Sequence, residues 1–156
     1  MKLTTRFGEI EVDDQSCVQI EGGLVGLPAA KRFCLLSHRE DSPFRWLQCV
    51  DEPALALAVI SPMDFFAGYS FELQDADVEQ LGLDTAEDAV VLATVSVDED
   101  ERRVTTNLLG PIIVNRKTLV GKQVVLSSDN FSTRHPLFEL TRAVRTRRAK
   151  PRAKAA

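Results

Sequence analysis

AVVLATVSV at residues 89–97 and VTTNLL at residues 104–109, parted by Asp98-Glu99-Asp100-Glu101, form the stretch that decides the fold. Both flanks are rich in Val, Thr and Leu, and β-branched side chains suit a pleated, half-buried surface. Four carboxylates between two such runs can present ligands to a hard cation only if they are spaced around a central glycine, as in a calcium loop. No glycine is there, so the cluster reads as the solvated turn of a β-hairpin.

Working outward, similar short segments recur on both sides: LTTRF, GEIEVD, SCVQI, RFCLLS, FRWLQCV and ALALAVI before it, PIIVN and KQVVLSS after it. Ile10 and Val12 alternate with Glu9 and Glu11, the period of two that puts successive side chains on opposite faces of a strand. Turn residues punctuate the segments at Asp13-Asp14, Gly22-Gly23, Asp51-Glu52-Pro53 and Gly121. Many short strands with such punctuation point to a barrel or a sandwich. One segment departs from the pattern. Asp75 offers an N-cap, Val78 and Leu81 are spaced i, i+3, and Gly82 supplies a stop, so a short helix is expected over 75–82. A second short helix is expected near Leu137–Val144.

A chain of 156 residues with 44% apolar content is read as one domain that buries roughly 70% of its unfolded surface. The ordered domain is expected to span residues 1–140. Residues 141–156, TRAVRTRRAKPRAKAA, hold seven basic side chains and none acidic. So little apolar area cannot offset the entropy of ordering, and the segment is expected to be a disordered basic tail. No apolar run approaches the ~20 residues of a membrane span. The first twelve residues lack the apolar stretch of a signal peptide, so a cytoplasmic location is expected.

Charge is distributed unevenly. Residues 46–101 carry 14 acidic side chains and no basic one. Such a block either solvates the domain or forms a docking surface for a basic partner. It argues against nucleic-acid binding by the core, which needs clustered Lys and Arg against phosphates.

The residues assemble no catalytic constellation. His38 lies in the polar stretch SHREDSP and His135 precedes a proline, and no nucleophile elbow accompanies either. The run Gly22-Gly-Leu-Val-Gly26 lacks the GK[ST] ending of a phosphate loop, so it reads as a tight glycine-permitted turn. Cys17, Cys34 and Cys49 form no CxxC pair and read as small buried thiols. No cofactor and no metal are expected. Two stretches are candidates for contact or for unusual backbone. Met63, Phe65, Phe66 and Tyr69 gather beside a proline and a glycine, either as a binding anchor or as a lid over a barrel end. Asn107 and Asn115 flank a Gly110-Pro111 break, where an asparagine can bond to local backbone or meet a partner.

Taken in order, GEIEV, GLVGLPAAKRFCLL, SPFRWLQCVDEPALALAVISP, FELQDADVEQLGL, TTNLLGPIIVNRKTLVGKQVVL and STRHPL resemble the bacterial flagellar assembly factor FliW family over roughly residues 1–138. The resemblance implies a mainly β fold, a compact antiparallel barrel-like single domain with one or two short helices, and no enzymatic activity. It implies that the partners are flagellin and the RNA-binding translational regulator CsrA; the chain itself is expected to be a monomer. Flagellin would occupy the protein as it accumulates, freeing CsrA to repress flagellin translation. A basic regulator fits an acidic docking face, so Glu72, Asp75, Asp77 and Glu79 are the candidates for CsrA. Phe65, Phe66 and Tyr69 are the candidates for a helical apolar stripe of flagellin, and Asn107 and Asn115 complete the set. The rival reading is a small ligand-binding barrel or small enzyme, which requires a deep interior pocket with His38 or His135 inside. A direct RNA-binding protein acting through its tail is a third reading.

Overall fold

The computed structural model describes residues 1–37, 39–100 and 102–139, without the side chains of Asp14 and Glu139. The expected tail, residues 141–156, lies outside the described residues, as does His38.

The 89–109 stretch folds as read. Strand β7 (Ala89–Asp98) turns at Glu99-Asp100 and returns as β8 (Arg103–Thr106), with Val97 opposite Val104 and Asp98 opposite Arg103. The return does not end there. After residues 107–111 the chain rejoins the same edge of β7 as β9 (Ile112–Asn115), with Leu92 opposite Ile112. On β7 only Ala93 and Thr94 separate the two pairings, so residues 107–111 form a largely buried excursion between them, with Asn107 N–H still donating to the Thr94 carbonyl.

The other edge of β7 starts an antiparallel meander. It runs back through β6 (Ala56–Ile60), β5 (Arg45–Cys49) and β4 (Arg32–Leu36) to β3 (Cys17–Ile20). Strand β10 (Val120–Gln123) pairs antiparallel with β9 and parallel with β3, and this closes a barrel of seven strands. Closure satisfies the hydrogen-bonding edges that an open sheet would leave bare. A hairpin of β1 (Lys2–Thr5) and β2 (Gly8–Glu11) forms a separate two-stranded sheet.

Side-chain alternation sorts the core. Val18, Ile20, Phe33, Leu47, Val59, Leu92 and Ile112 fill the barrel, all buried. Each such side chain contributes roughly 1.5–3 kcal/mol by leaving water. Ile113, one residue on, points the other way and packs under Leu81 and Val124.

Helix α1 (Asp75–Leu81) forms where the sequence placed it, and Gly82 ends it at φ 64°, a left-handed conformation natural to glycine. Gln74 takes the N-cap position and Asp75 is the first helical residue, one step from expectation. Three short 3-10 turns, Asp14–Ser16, Pro62–Asp64 and Ala86–Asp88, complete the helical content of the described residues. The glycine turn is also as read: Gly23 sits at φ 73°, and a Cβ there would stand 2.3 Å from the Pro28 carbonyl oxygen.

Two expectations are corrected. Residues 137–139 belong to strand β11 (His135–Glu139), paired with β8, and not to a helix; residues 140–144 lie outside the described residues. The register shifts between Pro136 and Phe138, a bulge at an edge strand where a proline costs no ladder bond. Phe138 there meets the ring of Phe44 edge-on at 6.5 Å. The KQVVLSS segment also leaves the strand early. Beyond Gln123, Val124 and Leu126 donate to the carbonyls of Pro111 and Leu109, continuing the β10–β9 register outside the named strands and fastening the 107–111 loop.

Candidate partner-binding face

Residues 61–88 cross the flank of the barrel without contributing a strand. Their apolar side chains make a second, aromatic core. Tyr69 is 3% exposed, and Phe65, Phe66, Phe71, Phe131 and Leu137 pack around the same cluster. The Tyr69 ring meets Phe131 edge-on at 4.8 Å, and Phe66 meets His135 at 5.2 Å. His135 thus stands between the rings of Phe66 and Phe131 at the start of β11. The Tyr69 hydroxyl donates to the Leu108 carbonyl at 2.8 Å, and burial pushes its pKa up to about 12.

The aromatic loop packs on the flank of the barrel more than it stands free of it. Phe65 and Phe66 are half-buried and Tyr69 is internal; Met63, at 44% exposure, is the large apolar side chain it shows to solvent. Both asparagines serve the backbone. Asn107 Oδ1 accepts from the N–H groups of Leu109 and Gly110, shaping the 107–111 loop. Gly110 must lack a side chain, because a Cβ would come within 2.9 Å of Asn107 Nδ2. Buried Asn115 donates to the carbonyls of Leu81 and Gly82 and accepts from Lys117 N–H at 2.9 Å, so it caps the end of α1 from β9.

The acidic block divides on folding. Asp77 pairs with Lys122 at 2.6 Å, Asp88 lies between Arg116 and Lys117 at 3.4 and 3.5 Å, and Asp98 meets Arg134 at 2.8 Å. These three acids are tied to basic residues that follow the block in the sequence: Lys122 on β10, Arg116 and Lys117 in the turn after β9, and Arg134 just before β11. Glu72, Asp75, Glu79, Asp84 and Glu87 are exposed and carry no ion pair among the described residues. Of the four acids named from the sequence, Asp77 is thus engaged internally, while Glu72, Asp75 and Glu79 face water.

Two of these exposed acids, Glu72 and Asp84, border an open groove of about 540 Å³. Its apolar floor includes Leu73, Val78, Leu83 and Ile113, with Met63, Glu72 and Asp84 on its edge. The stretch Ser70–Glu72 is shared with a second groove of about 710 Å³, which is polar on the side of Asp77 and Lys122. Sequence reading missed Leu73, Val78, Leu83, Asp84 and Glu87 as surface candidates. The available signal is the i, i+3 apolar spacing of α1, which by itself predicts the helix and not its exposure: Leu81 is buried, but Val78 is only half-buried. Among the described residues no group of His, Cys, Asp or Glu is arranged to hold a metal, and no helix is long and apolar enough to cross a membrane.

A family model described as FliW protein matches residues 2–137. The flagellar assembly factor FliW of Magnetococcus marinus is 40% identical over 135 residues, covering 86% of this chain and 82% of its own. That of Bacillus subtilis is 38% identical over 138 residues, covering 88% and 96%. A crystal structure of the flagellar assembly factor FliW superposes with a TM-score of 0.81 at 34% identity, covering 88% of this chain and 97% of that one.

Proposed function

This chain belongs to the FliW family of flagellar assembly factors, and from that premise we propose that it is a non-catalytic cytoplasmic binding protein that engages flagellin and a CsrA-type translational regulator. The observation that carries this reading is the apolar groove edged by Glu72 and Asp84, next to the exposed Asp75 and Glu79 of α1. An apolar floor suits the stripe of an amphipathic helix such as flagellin termini provide. A rim of one sign suits a basic RNA-binding protein and speeds its encounter. One partner displacing the other would then couple flagellin level to flagellin translation. The reading from the aromatic loop shifts accordingly: Phe65, Phe66 and Tyr69 support the face from below, and Met63, Leu73, Val78 and Leu83 meet the helix.

The test is binding of purified CsrA and flagellin to two variants at two salt concentrations. Joint reversal of Glu72, Asp75 and Glu79 to lysine weakens CsrA at least tenfold and flattens its salt dependence. Met63→Asp with Val78→Asp weakens flagellin at least tenfold, with a circular dichroism spectrum like that of the parent chain. Unchanged CsrA affinity in the first variant, or unchanged flagellin affinity in the second, overturns the corresponding half of the proposal.

A further inference from the structure

The two cysteines nearest the N-terminus are far apart in sequence and adjacent in the fold. Cys17 on β3 stands directly opposite Cys34 on β4, and their sulfur atoms are 2.7 Å apart. The phase of the ladder makes this position special. Ile20 N–H donates to the Lys31 carbonyl, whereas the N–H groups of Gln19 and Glu21 turn the other way, toward Leu119 and Gly121. Even-numbered residues of β3 therefore bond to β4 and odd-numbered ones do not, which places Cys17 and Cys34 in a non-hydrogen-bonded pair. In such a pair the Cα atoms approach to ~4.5 Å, and their side chains lie closer than at bonded positions. That separation falls inside the ~4.4–6.8 Å span of disulfide-bonded cysteines.

The surroundings select this pair over any other. Val18 and Phe33 point into the barrel, so Cys17 and Cys34 point outward, in one row with Gln48 of β5. The β1–β2 hairpin is fastened beside them, with Arg6 N–H donating to Gln48 Oε1 and the Phe7 ring 4.9 Å from Trp46. Cys34 is 1% exposed, while Cys17 is half-exposed at the edge of this cover. Cys49 is opposite Phe33 and sits in the barrel core, on the far face of the sheet from both.

We propose that Cys17 and Cys34 are a reversible redox site that closes to a cross-strand disulfide under peroxide. Cys17, the accessible partner, attacks hydrogen peroxide as its thiolate; the O–O bond breaks, a sulfenic acid forms on Cys17, and the released hydroxide takes up the thiol proton as water. The Cys34 sulfur then attacks the Cys17 sulfur, the S–O bond breaks, and the Cys34 proton leaves with hydroxide as a second water. Two thiols are oxidised by two electrons and one peroxide is reduced to two waters. A reducing thiol pool returns the pair to the open form, the state expected to prevail in a reducing compartment. The product ties β3, the strand on which the barrel closes, covalently to its neighbour.

The experiment treats the full chain with a small excess of hydrogen peroxide, quenches with iodoacetamide in denaturant, and maps peptides without reduction. The expected result is a Cys17–Cys34 link two hydrogens lighter than the separate peptides, abolished by dithiothreitol, with Cys49 fully alkylated. In parallel, the Cys34→Ser chain is expected to carry an oxidised but unlinked Cys17. Full alkylation of all three cysteines after peroxide overturns the proposal, as does a link from Cys17 to Cys49 or to a second molecule.

Discussion

Each of the seven barrel strands has two hydrogen-bonded neighbours and an aliphatic inner face, whereas residues 61–88 contain no strand and lie on the outside of that barrel. The barrel is held by many interchangeable contacts. The crossing segment is held by aromatic packing and by a few polar tethers that reach it from distant strands: Tyr69 to Leu108, Asn115 to the end of α1, and Lys122 to Asp77. The groove and the exposed acids belong to the second region. A binding face on so few tethers is separable from the stability of the whole, because local opening can occur well below the cost of global unfolding.

The largest effect expected is in the barrel. Leu92→Ala, which empties a fully buried site among Ile20, Phe33 and Ile112, costs about 3–4 kcal/mol by lost transfer energy and a residual cavity. Urea unfolding monitors the cost, and amide exchange is expected to speed in every strand alike. Asn115→Ala comes next, at about 2–3 kcal/mol, because it strands the carbonyls of Leu81 and Gly82 and the Lys117 N–H. Here exchange is expected to speed first in α1 while the barrel amides stay protected. Equal acceleration in both regions breaks the distinction between them.

The smallest effect is that of Tyr69→Phe, about 1 kcal/mol near neutral pH from one buried hydrogen bond. Its dependence on pH sharpens the comparison. The folded phenol titrates at about 12 and the unfolded one near 10. The unfolded chain therefore gives up its proton first, and stability is lost as pH rises through this window. The loss reaches roughly 2 kcal/mol by pH 12 and is absent from the phenylalanine variant, so the order of stability reverses in alkali and the parent becomes the less stable chain by about 1 kcal/mol.

Local signals made part of this legible. The hairpin at 98–100 announced itself by four acids between two β-rich runs, and α1 by its apolar spacing and Gly82. Strand β11 did not, since Pro136 and the basic residues beyond it resemble a chain leaving its domain; only the rings that receive Phe138 and His135 make it a strand. Composition marked the acidic block but could not sort its members. Asp77 is neutralised by a lysine 45 positions away, while Asp75 and Glu79, two positions to either side of it, stay in water. The inward roles of Tyr69 and Asn115 were hidden for the same reason: their acceptors lie 39 and 34 residues off. Polar side chains of one type read alike until the fold assigns their partners.

The parallel seam between β3 and β10 sets a timetable for the ribosome. Residues 19 and 20 pair with residues 120 and 121, so one edge of β3 has no mate until another hundred or so residues have been made. At bacterial elongation rates of roughly 5–20 residues per second, that is about 5–20 s of waiting. The meander from β3 to β7 can zip up pair by pair as it emerges, but the cylinder itself is shut only by the last third of the chain. Nascent molecules therefore pass through an open sheet with a bare rim, and a message truncated before Val120 would yield that sheet permanently.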